Sequence, residues 1–100
     1  MFVHHVFFWL KADLSTFDIK KFEETVSTLT GISHVKIGDV AKPAQTNRPV
    51  IERSYSYSLL LAFENQEKHD QYQVDPTHLK FVETCSTFWE KVLIYDSETI

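Results

Sequence analysis

One cysteine, two glycines and three prolines in 100 residues exclude several protein classes at once. Cys85 has no second cysteine to pair with, so an internal disulfide is ruled out and a reducing compartment fits. Gly31 and Gly38 are too few for a glycine-rich phosphate loop, whose backbone must approach a nucleotide closely at several points. No Lys/Arg run exceeds the pair Lys20-Lys21, and 10 basic against 14 acidic residues leave a net charge of −4. Nucleic-acid binding needs a basic footprint that releases counterions, and none is present. No apolar run approaches the roughly 18 residues of a membrane span. The apolar N-terminus starts uncharged, contains His4 and His5 and has no small-residue cleavage site, so it reads as a strand and not as a signal peptide. The expected location is cytoplasmic.

What the chain has in quantity is apolar and aromatic surface, at 43% hydrophobic and 14% aromatic. Residues 1–100 are expected to form one domain. A domain of this size buries only about two-thirds of its unfolded-chain surface, so pairing with a second copy is expected to cover the rest. The first predicted strand, Phe2 to Lys11, carries Phe2, His4, Val6, Phe8 and Leu10 on one face and Val3, His5, Phe7, Trp9 and Lys11 on the other. A strand apolar on both sides must be covered on both sides. The chain's own helices can take one side, and a partner subunit is the economical cover for the other.

A helix is predicted from Ser15 to Gly31. Ser15 is its N-cap, Phe22, Val26 and Leu29 its apolar stripe, and Phe17 and Ile19 add to the stripe at the start. A second strand is predicted over Ser33 to Val40, then a long connection to Ser54, then a third strand from Tyr55 to Glu64. Asn65 caps a short helix through Tyr72. Asp75 and Pro76 restart a helix expected to run to about Trp89, with His78, Val82, Cys85 and Trp89 on one face. Lys91 to Tyr95 is the last predicted strand, followed by a polar tail from Asp96. The order β-α-β-β-α-β, with right-handed crossovers, predicts an α+β fold in which a four-stranded antiparallel sheet carries its helices on one face.

Tyr72 and His78 flank the Val74-Asp75-Pro76 break and are the candidate proton-transfer pair. A histidine of near-neutral pKa can take a proton from carbon beside a carbonyl while a tyrosine hydroxyl donates to the developing oxyanion. His78 packed as a core residue is the structural alternative. His4 and His5 point to opposite faces and cannot chelate one ion together, while His34 and His69 read as isolated, so no metal site is expected. Cys85 reads as a buried small hydrophobe before a nucleophile.

Four stretches carry a family resemblance: Val3-His4-His5-Val6, the third strand Tyr55 to Glu64, Tyr72 with Asp75-Pro76-Thr77-His78 and Phe81, and the ending Phe88 to Asp96. Together they resemble the stress-responsive dimeric α/β-barrel (Dabb) domain family over nearly the whole chain. The resemblance implies a ferredoxin-like monomer and a homodimer whose sheets form a barrel-like centre. Most members have no established reaction, whereas a plant member closes a linear polyketide by aldol-type condensation without a cofactor. That member implies catalytic roles for Tyr72 and His78 and a further role for His5. Tyr57 and Ser27 stand where it has a histidine and a tyrosine, and Asp75 replaces the first histidine of the common His-Pro-x-His segment. A ligand pocket between sheet and helices is expected from Phe7, Trp9, Phe22, Tyr57, Leu59, Phe81 and Trp89, with Phe7 and Trp9 facing the space of His5. Two functions remain open: a homodimer that binds a small apolar, carbonyl-containing molecule without a defined reaction, and a lyase or cyclase using the His/Tyr pair.

Overall fold

The computed structural model describes residues 1–100. Its elements run β1 (Phe2–Leu10), α1 (Thr16–Ser27), a 3-10 turn (Thr28–Gly31), β2 (Ile37–Ala41), β3 (Tyr57–Phe63), α2 (Gln66–Gln73), α3 (Pro76–Cys85) and β4 (Trp89–Glu98). The strands form one sheet in the order β2-β3-β1-β4, antiparallel throughout. This is the α+β, ferredoxin-like β-α-β-β-α-β arrangement, with its second helix broken into α2 and α3.

The helix starts follow from their caps. The Ser15 hydroxyl accepts from the Asp18 N–H at 3.0 Å, the Asn65 side chain from Lys68 N–H at 3.0 Å, and the Asp75 carboxylate from Thr77 N–H at 2.8 Å. Each satisfies an amide that the first helical turn leaves unpaired. Phe22 and Val26 of α1 and Leu29 of the 3-10 turn are fully buried. Phe17 and Ile19 are exposed instead of adding to that stripe, because both lie away from the sheet side of α1.

Several boundaries differ from the sequence reading, and β1 explains two of them. The helix expected to reach Trp89 stops at Cys85, where the Phe88 N–H turns back to the Cys85 carbonyl at 2.9 Å. Trp89 then pairs with Leu10, and β4 continues past Tyr95 because β1 still offers His4, Val3 and Phe2 as partners for Asp96, Ser97 and Glu98. The expected polar tail is therefore mostly strand. β2 begins at Ile37 and not at Ser33, since the Val35 N–H closes a turn on the Ile32 carbonyl.

Gly38 sits where β2 meets the 3-10 turn. A Cβ there would lie 2.8 Å from Thr30 Cβ and 3.0 Å from Thr30 Cα, closer than van der Waals contact allows. Gly38→Ala is expected to cost about 1–3 kcal/mol through this overpacking. A lowered urea midpoint with unchanged m-value checks it, and an unchanged midpoint contradicts the close approach.

Directly opposed residues of neighbouring strands share a sheet face. The pairing of Val6 with Leu59 therefore groups the even residues of β1 with the odd residues of β3. Phe2, Val6 and Phe8 join Tyr57, Leu59, Leu61 and Phe63 under the helices, all buried in one core with Phe22, Val26, Leu29, Phe81 and Cys85. The opposite face presents Val3, His5, Phe7, Trp9, Leu60, Leu93 and Tyr95, and no helix of this chain covers it.

Candidate functional site

A cavity of about 200 Å³ opens between the helix side of the sheet and the α2–α3 break. Its polar lining consists of His4 from β1, Tyr72 and Gln73 from the end of α2, and His78 from α3. Val6, Phe8, Leu59, Phe81 and Trp89 supply apolar wall, and Val92 and Ile94 of the edge strand form part of the rim.

The backbone break places His78. Asp75 and Pro76 restart the helix so that the His78 Nδ1 lies 3.0 Å from the Gln73 carbonyl. A carbonyl can only accept, so Nδ1 carries the proton and Nε2 keeps its lone pair. Burial lowers the His78 pKa below the ordinary imidazole value, outweighing the hydrogen bond to Gln73. Tyr72 is 1% exposed, with its ring 4.8 Å from that of His78 and 6.0 Å from that of His4. Burial, and secondarily the Asp75 charge, pushes its phenol well above the ordinary tyrosine range, so it remains a donor. No protein acceptor takes that hydroxyl proton.

His4 enters through strand register. It pairs across to Asp96, and its Nδ1 lies 2.6 Å from the Asp96 carboxylate. An ionised carboxylate accepts only, so this ring too donates from Nδ1 and keeps the Nε2 lone pair. Desolvation nevertheless dominates, and the His4 pKa lies below its ordinary value.

The structure thus brings Tyr72 and His78 together with Leu59, Phe81 and Trp89 on one cavity. It does not bring His5, Phe7 or Trp9 there. Those three lie on the open sheet face, where Phe7 and Trp9 line a separate depression with Glu52, Tyr55, Leu93 and Tyr95. The physical reason is register parity: odd residues of β1 oppose even residues of β3, away from the helices. Trp9 is held on that face by its Nε1–H donating to Ser54 at 2.9 Å and by Lys91 over its ring. Phe22 is fully buried between Phe8 and Tyr57 and does not reach the cavity. Tyr57 lines a third depression with Glu23, Ser27 and Lys42, and its hydroxyl donates to Glu23. Cys85 is fully buried and burial pushes its thiol up, as befits a core residue.

Sequence reasoning missed His4 and Asp96, and the cross-strand pairing that joins them was the signal. His69 is not isolated either: its ring packs 4.8 Å from that of His4 and 4.5 Å from Phe2.

Burial lowers the pKa of His4, His5 and His78 alike. The unfolded chain therefore takes up protons first on acidification. The stability tied to these neutral rings is full above the unfolded value of about 6.5 and is lost as pH falls through it. Urea midpoints are expected to drop between about pH 8 and pH 5.5, and His4→Phe is expected to reduce that drop. Equal pH slopes in the two proteins contradict the assignment.

A four-stranded antiparallel sheet under helices, with a cavity lined by His4, Tyr72 and His78 between the layers, defines the class as a ferredoxin-like domain. The chain belongs to the stress responsive A/B barrel domain (Dabb) family, whose model matches residues 2–99. It is 36% identical over 45 residues to olivetolic acid cyclase from Cannabis sativa, a match spanning 45% of this chain and 45% of the cyclase. Among solved structures it resembles an Arabidopsis thaliana protein at TM-score 0.81 and 20% identity, covering 100% of this chain and 96% of that one. Hydroxynitrile lyase from Passiflora edulis gives 0.77 and 19%, with 99% and 95% covered. A protein from Thermobifida fusca described as dimeric and ferredoxin-like gives 0.78 and 11%, with 98% and 90% covered. At these identities the structural likeness speaks for the fold. No helix is long and apolar enough to cross a membrane.

Proposed function

We propose that this protein is a cofactor-independent lyase or cyclase acting on a small apolar carbonyl compound, as a cytoplasmic homodimer of one domain spanning residues 1–100. The observation that carries the reading is the cavity itself: Tyr72, whose hydroxyl has no protein acceptor, and two histidines that each donate from Nδ1 and keep an Nε2 lone pair line one apolar pocket. His78 takes a proton from the carbon beside the substrate carbonyl. The C–H electron pair moves toward the carbonyl oxygen, and Tyr72 donates a hydrogen bond to the oxyanion that forms. The enolate carbon then attacks a second carbonyl and forms a C–C bond, or the same steps in reverse break one, and the proton on His78 returns to the product. His4, held by Asp96, replaces His5 as the second basic group. A cyclase and a lyase among the similar proteins support a reaction of this kind.

Cavity size narrows the substrate. An apolar cavity of about 150 Å³ accepts a benzene-sized guest. At about 200 Å³ this one suits a molecule only somewhat larger, such as a monocyclic or short-chain carbonyl compound. The competing reading is a binding protein that runs no reaction, and the preponderance of apolar lining favours it. NMR in D2O separates the two. Wild-type protein is expected to speed exchange of the protons beside the carbonyl in a small aryl or alkyl ketone. A ketone that raises the melting temperature but shows no faster exchange leaves the binding reading, and ketones that do neither sink both.

The open sheet face is expected to meet the same face of a second copy, which would remove its apolar surface from water.

A further inference from the structure

We propose that His4, His69 and Asp96 form a binding site for a divalent transition-metal ion such as Zn2+. The three residues come from β1, α2 and β4, and one donor atom of each lies within 4.8 Å of the other two. Two imidazoles and one carboxylate suit Zn2+, Co2+, Ni2+ and Fe2+. Donors held at about 2.0–2.2 Å from one tetrahedral ion stand about 3.3–3.6 Å apart, so the cluster closes by side-chain rotation of about an ångström. Asp96 can supply that rotation, because its side chain is 42% exposed, and its exposure also leaves coordination positions open to water.

His69 is the residue that singles out this cluster. It is 8% exposed and wedged against Phe2, His4 and Phe63, a place where an aliphatic side chain would pack as well. It does not line the acid/base cavity. Its ring nitrogens are engaged only by neighbours on its own helix, Asp70 at 3.0 Å and Gln73 at 3.1 Å. The Asp70 carboxylate accepts from Nδ1–H, the arrangement that orients a metal-binding imidazole from behind, and the Gln73 amide is a partner that an ion can displace from Nε2. The carboxylate of Asp96 already sits on His4, so an ion there replaces the proton between them.

The site stands independently of the proposed reaction. If His4 serves as a base in that reaction, a bound ion withdraws it, and Zn2+ becomes an inhibitor. The test is titration of the metal-free protein with ZnCl2 and CoCl2, read by calorimetry and by visible Co2+ absorption. One ion per chain is expected. His69→Leu, which keeps the packing, and Asp96→Asn are each expected to weaken binding at least about tenfold. His34→Ala, which lies outside the cluster, is expected to bind as wild type does. Circular dichroism confirms that each variant is folded, and Asp96→Asn decides the matter if His69→Leu is not. Failure to bind below millimolar metal, affinity unchanged in Asp96→Asn, or loss of binding in His34→Ala overturns the site.

Discussion

His78→Asn is expected to slow proton transfer at the substrate carbon by about 10²–10⁴-fold while leaving the fold intact. Asparagine can place its amide N–H near the position of the imidazole Nδ1, so the bond to the Gln73 carbonyl survives. What disappears is the Nε2 lone pair of a side chain that lines the cavity. The same argument holds for His4→Asn, whose amide can still donate to Asp96. If the two histidines act on one substrate proton in sequence, the double variant loses little more than the worse single variant, since groups that work as a unit are not additive. If they act separately, the losses multiply. Rates of NMR-detected exchange, with urea midpoints measured alongside, check this. A large loss of stability with unchanged exchange would return His78 to a purely structural role.

Phe7→Asp is expected to convert a homodimer to monomer at micromolar concentration. Phe7 lies on the open sheet face, packed between His5, Tyr55 and Tyr95 and turned away from the chain's own core. In a two-fold interface the substitution enters twice. Desolvating a carboxylate costs several kcal/mol per ion, so two of them weaken association by on the order of a thousandfold or more. The core does not contain Phe7, so the monomer should keep its helices and cavity. Sedimentation velocity of both proteins decides the point; a wild type that already sediments as a monomer removes the dimer from the proposal.

The fold was largely legible because its signals are local. The caps at Ser15, Asn65 and Asp75, the proline at 76 and the Phe22-Val26-Leu29 stripe depend on residues within one or two turns. Tyr72 and His78 were legible for the same reason, flanking a single helix break. His4, which lines the same cavity, was not. His4 and His5 are adjacent, and both faces of β1 are apolar and aromatic, so alternation could not say which faced the helices. Only the long-range register of β1 with β3 and β4 settles it. Trp89 and Asp96 follow the same rule: helical spacing continues through Trp89 and the C-terminal residues are polar, yet pairing with β1 makes both of them strand.

That adjacency of His4 and His5 has a consequence for how activity should respond to dilution. One peptide unit carries a ring in the cavity and a ring on the open face. In the expected dimer, a partner pressing on His5 also restrains the backbone that aims His4. Occupancy of the cavity and occupancy of the open face then share a free energy, and whatever the partner adds to substrate affinity the substrate must add to the partner's. Substrate is expected to tighten the dimer, and the apparent affinity for substrate should decline as protein is diluted through the dimer dissociation constant. A KM that drifts with enzyme concentration would thus be a property of β1 itself.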